Sequence, residues 1–332
     1  MLGHGGFGSL FIFNVHLQSV AKSLPQRLGA VHRGLNLLTG EWVAIKVEMP
    51  PEKEEQPAML PYEAAIYKLL RGKQGIPCIR WSGMYGGAHI LAMDMLGSNL
   101  DQLRRVCRGQ LTLRTVLILA EQMLDRVEFA HSRGIVLRDV KPDNFAMGHG
   151  HLANIVHLYD FGLSKLYRDP ETGAHMAYRE DRQRLGTIRY ASLNMHLGRE
   201  LSRRDDMESL GYSLIYLLNG RLPWQGIYAP DVEWKIRRIR EMKAGKALED
   251  LLASAPPEFG KYFEHCRGLR FEQKPDYAYL KTLFRKRMQS EGWQYDSKLD
   301  WLDPSVLPKG SLLPDEYKAE HCFVEDDKWD VQ

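Results

Sequence analysis

The sequence contains no long hydrophobic run and no excess of charge of either sign. None of its 332 residues lies in an uninterrupted apolar stretch approaching the length of a transmembrane helix, so we expect no membrane span. Lys and Arg number 45 and Asp and Glu 42, giving a net charge of +3. This balance argues against direct nucleic-acid binding by the whole surface. With 26% charged and 44% hydrophobic residues, the composition is that of a globular protein and excludes wholesale disorder.

Cysteine is also scarce. The four cysteines, Cys78, Cys107, Cys266 and Cys322, lie far apart and form no C-x-x-C pair. This spacing argues against a disulfide framework and against a structural zinc site. We expect free thiols in a reducing compartment, and therefore a cytoplasmic or nuclear location.

Acidic residues are absent from the first 40 positions, where Lys22, Arg27 and Arg33 are the charged residues and Glu41 is the first acid. Such a bias is typical of an organelle transit peptide. The segment begins, however, with Gly-His-Gly-Gly-Phe-Gly at residues 3–8, which predicts a tight backbone loop and not an amphipathic helix. We favour the loop.

From residue 41 onward the pattern predicts an α+β protein with strands first and helices later. Strands are predicted at 42–47 and 89–95, and helices with apolar residues at 3.6-residue spacing at 61–70, 111–131 and 205–219. We expect a small β-rich N-terminal lobe over residues 1–96 and a larger, mainly helical C-terminal lobe over 97–290. The hinge would lie near Leu96-Gly97, and residues 291–332 would form a short extension.

Two features of the N-terminal lobe point to a phosphate ligand. Gly3, Gly5 and Gly8 form a G-x-G-x-x-G pattern, which lets backbone N–H groups approach phosphates but is common by chance as an ordinary turn. Lys46 ends a Val-Ala-Ile-Lys strand, and a buried ammonium needs a counter-charge. Glu63 on the next predicted helix is one candidate and a nucleotide phosphate another. The alternative is a lysine that extends to solvent.

Two features of the C-terminal lobe complete the pattern. Residues 137–144 read Leu-Arg-Asp-Val-Lys-Pro-Asp-Asn, in which Asp139 can accept the proton of an attacking hydroxyl. Asp160-Phe161-Gly162 follows a predicted strand, and the oxygens of Asp160 and Asn144 are ligands that Mg²⁺ prefers. The order and spacing of all four features match the protein-kinase signature set, which predicts a bilobal protein-kinase fold.

Further segments resemble the casein kinase I family of serine/threonine protein kinases. They are Gly-Thr-Ile-Arg-Tyr-Ala-Ser-Leu-Asn at 186–194, Ser-Arg-Arg-Asp-Asp-Met-Glu-Ser-Leu-Gly-Tyr at 202–212, Leu-Pro-Trp-Gln-Gly at 222–226, Gly-Ile-Pro at 75–77 and Lys-Pro-Asp-Tyr at 274–277. Ser192-Leu193-Asn194 stands where that family has Ser-Ile-Asn and most serine/threonine kinases have Ala-Pro-Glu. The resemblance runs from about residue 31 to 300.

The resemblance implies ATP and Mg²⁺ as cofactors and a role for each matching residue. Asp139 would be the catalytic base, Lys141 would steady the transferred phosphoryl group and Thr187 would brace the catalytic loop, which Asp206 would anchor. Asn144 and Asp160 would hold the metal. The implied ATP site comprises Gly3, Gly5, Gly8, Val31, Ala44, Lys46, Glu63, Met93 and Leu96, with Met93 as gatekeeper and 94–96 as hinge.

The resemblance also implies the partners: protein substrates with acidic or phosphorylated motifs, acted on by a monomer. Arg189, Gly226 and Lys235 match the anion pocket of the family. The alternative is that Lys235 belongs to a solvated helix face with Arg237, Arg238 and Arg240.

Three departures from the family pattern bear on activity. Leu137 replaces the usual His, residues 10–30 are inserted after the glycine-rich loop, and almost nothing precedes Gly3. We expect the first to tune activity and the insertion to form a flap or splay the loop. A retained intron would explain the inserted residues 10–30, and a true start further upstream would explain why almost nothing precedes Gly3. A catalytically weak binding protein or an inactive splice form is therefore the alternative to an active kinase, while a small-molecule kinase would not carry the segments at 186–194 and 202–212.

Overall fold

A computed structural model describes residues 13–14, 30–49, 58–296 and 298–303, together with 305 and 307. Its N-terminal lobe contains the strands β1 (Phe13–Asn14), β2 (Ala30–Asn36), β3 (Trp42–Glu48), β4 (Ile79–Tyr85) and β5 (Ala88–Asp94). They form a five-stranded antiparallel sheet with the spatial order β1-β2-β3-β5-β4. A tight turn joins β2 to β3, since the Asn36 side chain accepts the N–H of Leu38 and Gly40 has φ +70°.

Strand β1 lies inside the segment that the sequence marks as an insertion. Phe13 pairs with Asn36 and Asn14 with Leu35 of β2, so these two residues belong to the sheet and not to a flap. The predicted phosphate loop, Gly3, Gly5 and Gly8, and the rest of the insertion up to residue 29 lie outside the described residues. Their roles stay predictions.

Successive side chains along β3 alternate between the core of the lobe and the opposite face of the sheet. Val43, Ile45 and Val47 are buried on one face, where they pack against Ile90 of β5. The opposite face carries Ala44 and Lys46, which therefore point toward the C-terminal lobe. The predicted strand at 42–47 is confirmed. Because its side chains alternate between two faces, Ala44 and Lys46 can reach a ligand between the lobes, while the buried residues of the other face cannot.

Helices dominate the rest of the described chain. They are α1 (Met59–Leu69), α2 (Leu100–Val106), α3 (Leu113–Ser132), α4 (Leu193–His196), α5 (Arg203–Asn219), α6 (Val232–Ala244), α7 (Lys246–Ser254), α8 (Pro257–Gly268) and α9 (Tyr277–Ser290). Two short antiparallel pairs lie between α3 and α4: β6 (Ile135–Val136) with β9 (Lys165–Leu166), and β7 (Phe145–Met147) with β8 (Val156–Leu158). The architecture is the bilobal α+β fold that the sequence predicts.

Helices α3 and α5 form the centre of the larger lobe. Most of α5 is buried, including Tyr212 and Leu214, because it is surrounded by other helices. Helix α3 begins at a Thr112 side-chain cap, and α5 ends at Gly220 in the left-handed conformation, φ +76°. No helix in the described part of the chain is both long and apolar enough to cross a membrane.

Candidate active site

The loop that carries Asp139 is held by hydrogen bonds to a carboxylate of α5. Asp206 accepts the backbone N–H of Leu137 at 2.7 Å and that of Arg138 at 2.8 Å, while His131 Nε2 lies 2.8 Å from the same carboxylate. These bonds hold Arg138 in the left-handed region at φ +66°, a conformation that costs about 1–3 kcal/mol for a residue with a side chain. The loop is therefore held in one shape before any ligand binds.

Asp139 is held by two donors of different kinds. Its Oδ1 accepts the backbone N–H of Thr187 at 2.8 Å, and its Oδ2 lies 3.0 Å from Lys141 Nζ. Lys141 Nζ also donates to the Thr187 hydroxyl at 3.0 Å, and Asn144 Nδ2 donates to the Asp139 carbonyl at 2.9 Å. The structure thus brings together four of the residues that the sequence singles out.

Gly186 allows the Thr187 N–H to come within hydrogen-bond distance of Asp139. Sequence reasoning did not select Gly186 as a site residue. It has φ +85°, and a Cβ at this position would lie 2.7 Å from the Arg138 carbonyl oxygen and 3.1 Å from Asp139 Oδ1. The segment before Thr187 can therefore reach Asp139 only with no side chain at 186.

We expect Gly186→Ala to lower kcat by about tenfold to 100-fold, because the methyl group must push the segment away from Asp139 and small misplacements at a reacting centre are costly. Steady-state kinetics on a protein substrate measure this. Gly173→Ala is the matched control, since Gly173 has a similar φ of +70° but open space around its Cβ. A similar loss of kcat in both variants would show that backbone strain, and not the contact with Asp139, is responsible.

Lys46 links the two lobes through a pair of carboxylates. Its Nζ lies 2.8 Å from Glu63 Oε1 on α1 and 3.2 Å from Asp160 Oδ1 in the C-terminal lobe. Burial alone would lower the pKa of Lys46, but Asp160 and Glu63 raise it above its usual value. Desolvation would raise the pKa of Asp160, and Lys46 brings it below the usual range instead. Lys46 is therefore an ammonium and Asp160 a carboxylate at neutral pH, and the alternative of a solvent-directed lysine is wrong.

The turn at Asp160 is fixed by α1. Asp160 has φ +63°, and its backbone N–H donates to the Tyr67 hydroxyl at 3.1 Å. The ring of Tyr67 meets the buried Phe161 edge-on with centroids 4.7 Å apart, and Tyr62 donates to the Ser164 carbonyl at 2.8 Å. Helix α1 therefore determines the positions of both Glu63 and the Asp-Phe-Gly turn.

Leu137 stands where the family resemblance expects His. Its side chain is buried in the core. A link between this loop and the chain after the Asp-Phe-Gly turn is made by the neighbouring Arg138, whose Nε donates to the Leu163 carbonyl at 2.6 Å.

The face of the sheet above these groups carries the other expected ATP-site residues. Val31 lies opposite Lys46 in the β2–β3 pairing, and Ala44 lies opposite Met93 in the β3–β5 pairing, so all four share a face. Leu96 follows β5 and is half-buried. Gly97 next to it donates to the Met147 carbonyl at 2.8 Å, which ties the connection between the lobes to β7.

A second group of buried polar residues holds the segment after Thr187. Ser192 Oγ and Asn194 Nδ2 donate to Asp205 Oδ1 at 2.7 and 2.9 Å, and burial raises the pKa of Asp205 to about 6. From α6, Lys243 Nζ reaches the carbonyls of Ile188 at 2.9 Å and Ala191 at 2.7 Å. Lys243 is fully buried, and no local sequence signal distinguishes it from the exposed basic residues of the same helix.

Of the three residues of the expected anion pocket, Arg189 lies in this same segment, Gly226 in the loop between α5 and α6, and Lys235 near the start of α6. The Arg189 guanidinium lies 5.7 Å from the centroids of the Tyr190 and Tyr216 rings. The Trp224 indole donates to the Arg189 carbonyl at 2.8 Å, which holds the turn at Gly226 next to it. Gly226 has φ +68° and open space where a Cβ would lie, and Lys235 is half-buried on α6.

The donors available to a metal ion are few. Within the described residues no group of three or more His, Cys, Asp or Glu side chains is placed to hold one. Asp160 and Asn144 could contribute a carboxylate and an amide oxygen, because Asn144 uses its amide nitrogen on Asp139. This set suits a hard cation that takes its remaining ligands from a bound phosphate.

Comparison with known families agrees with this geometry. A family model described as a protein kinase domain matches residues 27–266, more than half of the chain. The matched range includes the expected site residues from Val31 to Lys235 and begins after Gly3, Gly5 and Gly8. It implies ATP and a divalent metal as general requirements, and protein substrates.

Proposed function

The chain belongs to the protein kinase family, and from that premise we propose that it is a serine/threonine kinase of the casein kinase I type. It transfers the γ-phosphoryl group of ATP to Ser or Thr hydroxyls, with a preference for acidic or phosphorylated sites. The support for this finer assignment is the run of motifs at 186–194 and 202–212, together with the contacts that Ser192 and Asn194 make to Asp205.

The observation that carries the proposal of activity is the arrangement around Asp139. Thr187 and Lys141 hold its two oxygens, at 2.8 and 3.0 Å, so the carboxylate is oriented before substrate arrives. In the proposed mechanism it accepts the proton of the attacking hydroxyl, and the Lys141 ammonium offsets charge on the transferred group. Phosphoryl transfer needs little more from the protein than such positioning and electrostatics.

Lys46 is positioned to contact the α- and β-phosphates of ATP, because it lies on the sheet face that Val31, Ala44 and Met93 share. Glu63 keeps its ammonium directed into the cleft. Asp160 and Asn144 would hold Mg²⁺, which, when bound, offsets the charge of the phosphates.

The test is transfer of phosphate from ATP to casein in the presence of Mg²⁺, with Asp139→Asn as the blank. Phosphoamino-acid analysis of the product then separates Ser and Thr from Tyr. Transfer to Ser and Thr above the blank supports the proposal. No transfer by the wild-type chain would favour the alternative, a kinase fold that acts by binding, and phosphotyrosine alone would contradict the proposed serine/threonine specificity.

For the anion pocket we expect Arg189→Ala to raise KM for a phosphoprimed peptide by about fivefold to tenfold and to change KM for the unprimed peptide by less than twofold. A guanidinium–phosphate contact strengthens only the binding of the primed form. KM values for the peptide pair measure the difference. Equal changes for both peptides would argue against an anion pocket at Arg189.

A further inference from the structure

A cleft of about 270 Å³ lies between α6 and the segment that leads to Thr187. Arg184 lines it from that segment, and Arg237 and Arg240 line it from α6. The walls between them are Trp234, which is half-buried, and Ile236, which is buried. Arg189, Gly226 and Lys235 do not line the cleft, so its lining residues differ from those of the expected anion pocket, although Lys235 lies between Trp234 and Ile236 on α6.

The cleft carries three guanidinium groups and two carboxylates, and both carboxylates already bind partners within the protein. Asp231 caps α6 by accepting the Trp234 N–H at 2.6 Å. Glu233 binds Arg184, with both carboxylate oxygens 2.7 Å from Nη1. Among the described residues, no carboxylate forms an ion pair with Arg237 or Arg240.

Two buried basic residues lie near the arginines of the cleft, and neither of them carries a negative charge. Burial, followed by Lys243, Arg184 and Arg240, lowers the pKa of His196 to about 2, so this imidazole is neutral. Lys243 itself lies fully buried 3.2 Å from His196 Nε2. An anion that enters the cleft therefore meets Arg237 and Arg240, which have no carboxylate partner among the described residues, while Asp231 and Glu233 are the two carboxylates that oppose it.

The position of Arg184 relates the cleft to the catalytic centre. Arg184 lies three residues before Thr187, whose N–H is bonded to Asp139. Three Cα–Cα steps of 3.8 Å place the two at most about 11 Å apart. An extended peptide covers that distance in three or four residues. A substrate with its hydroxyl at Asp139 can therefore reach the cleft with a nearby side chain.

We propose that this cleft binds an anionic side chain of a protein substrate, and that Glu233 is an internal carboxylate which the substrate displaces from Arg184. The inference rests on the proposed kinase function and adds to it a second anion-binding site. Trp234 and Ile236 favour a side chain attached to a peptide over a free ion, because they provide apolar surface beside the arginines. The Glu233 side chain is 73% exposed, so its displacement needs no opening of the core.

The test compares two peptides that differ only in acidic residues, Glu or Gln, placed three and four residues to either side of one Ser. For the double variant Arg237→Ala/Arg240→Ala we expect KM for the Glu peptide to rise about fivefold to 20-fold, with kcat and KM for the Gln peptide within twofold. Glu233→Gln should lower KM for the Glu peptide by about twofold to fivefold. A third peptide with phosphoserine in place of Glu shows whether carboxylate or phosphate is preferred.

Arg238→Ala is the matched control, because Arg238 carries the same charge on the same helix but pairs with Glu241 at 3.1 Å and does not line the cleft. An equal rise of KM in this variant would assign the effect to overall charge and overturn the proposal, as would an unchanged KM in the double variant.

Binding of the fluorescein-labelled Glu peptide, measured by polarisation on the full chain, separates this proposal from the proposed function. If the wild-type chain transfers no phosphate but binds the Glu peptide, and the double variant alone loses that binding, the cleft is supported and the kinase activity is not. Absence of binding by the wild-type chain, or equal binding by all variants, overturns the cleft.

Discussion

The Asp139→Asn variant is expected to lose turnover by about 10²- to 10⁴-fold, the range that a positioned proton acceptor contributes. ATP binding should stay within about twofold of wild type, since the nucleotide contacts expected from Lys46 and from the sheet face of Val31, Ala44 and Met93 are untouched. This is the signature of an interaction that matters late in the reaction and not in the bound ground state.

The geometry around Asp139 adds a second reason for a large effect. Asparagine can still accept the Thr187 N–H through its amide oxygen, the bond that measures 2.8 Å in the structure. Its NH₂ group would then face Lys141 Nζ, which lies 3.0 Å from Asp139 Oδ2, and two donors cannot bond each other. The substitution therefore removes the proposed base and also disturbs the cation beside it.

Turnover is measured with casein at saturating ATP, and ATP binding with a fluorescent nucleotide analogue. Asp250→Asn is the matched control, because Asp250 undergoes the same chemical change on the surface of α7, where it pairs with Lys246 at 2.8 Å. If Asp139→Asn kept turnover within a few-fold of wild type, the assignment of the base would be wrong.

The sequence predicted those parts of the fold that repeat with a regular period. The strand at 42–47 and the helices at 111–131 and 205–219 match β3, α3 and α5 to within a few residues, because the apolar residues of each recur at the spacing of a strand or a helix. The pairing of Lys46 with Glu63 was also predictable, since a lysine on a buried strand needs a carboxylate within reach.

Contacts between distant parts of the chain were not predictable in the same way. Gly186 is one of many glycines until its neighbour Asp139 is known, and Lys243 belongs to a helix whose other basic residues are exposed or half-buried. The hydroxyl of Tyr67 meets Asp160 only because α1 packs against the Asp-Phe-Gly turn. Local pattern specifies which face is buried, but the partner across the interface is set by tertiary packing.

Lys46→Met is the other substitution with a large expected effect: kcat/KM for ATP should fall by about 10²-fold or more. Methionine keeps much of the side-chain volume but removes the charge that faces Glu63 at 2.8 Å and Asp160 at 3.2 Å. Two carboxylates would then face the phosphates of ATP with no cation between them, so the loss includes repulsion as well as a missing contact.

The pH dependence distinguishes this explanation from a loss of stability. In the wild-type chain desolvation favours protonation of Asp160, and Lys46 overcomes it and keeps the pKa of this carboxyl low. Without this ammonium, Lys141 and the Gly162 N–H still lower the pKa of Asp160, but the largest influence that opposes desolvation is gone, so this pKa rises and the carboxylate is lost at higher pH. The acid limb of the residual activity should therefore move upward in Lys46→Met, and it should not move in Lys246→Met, the exposed control on α7. A lower kcat/KM with an unmoved acid limb would mean that Lys46 acts on the phosphates alone, and that its contact with Asp160 does not set the charge of this proposed metal ligand.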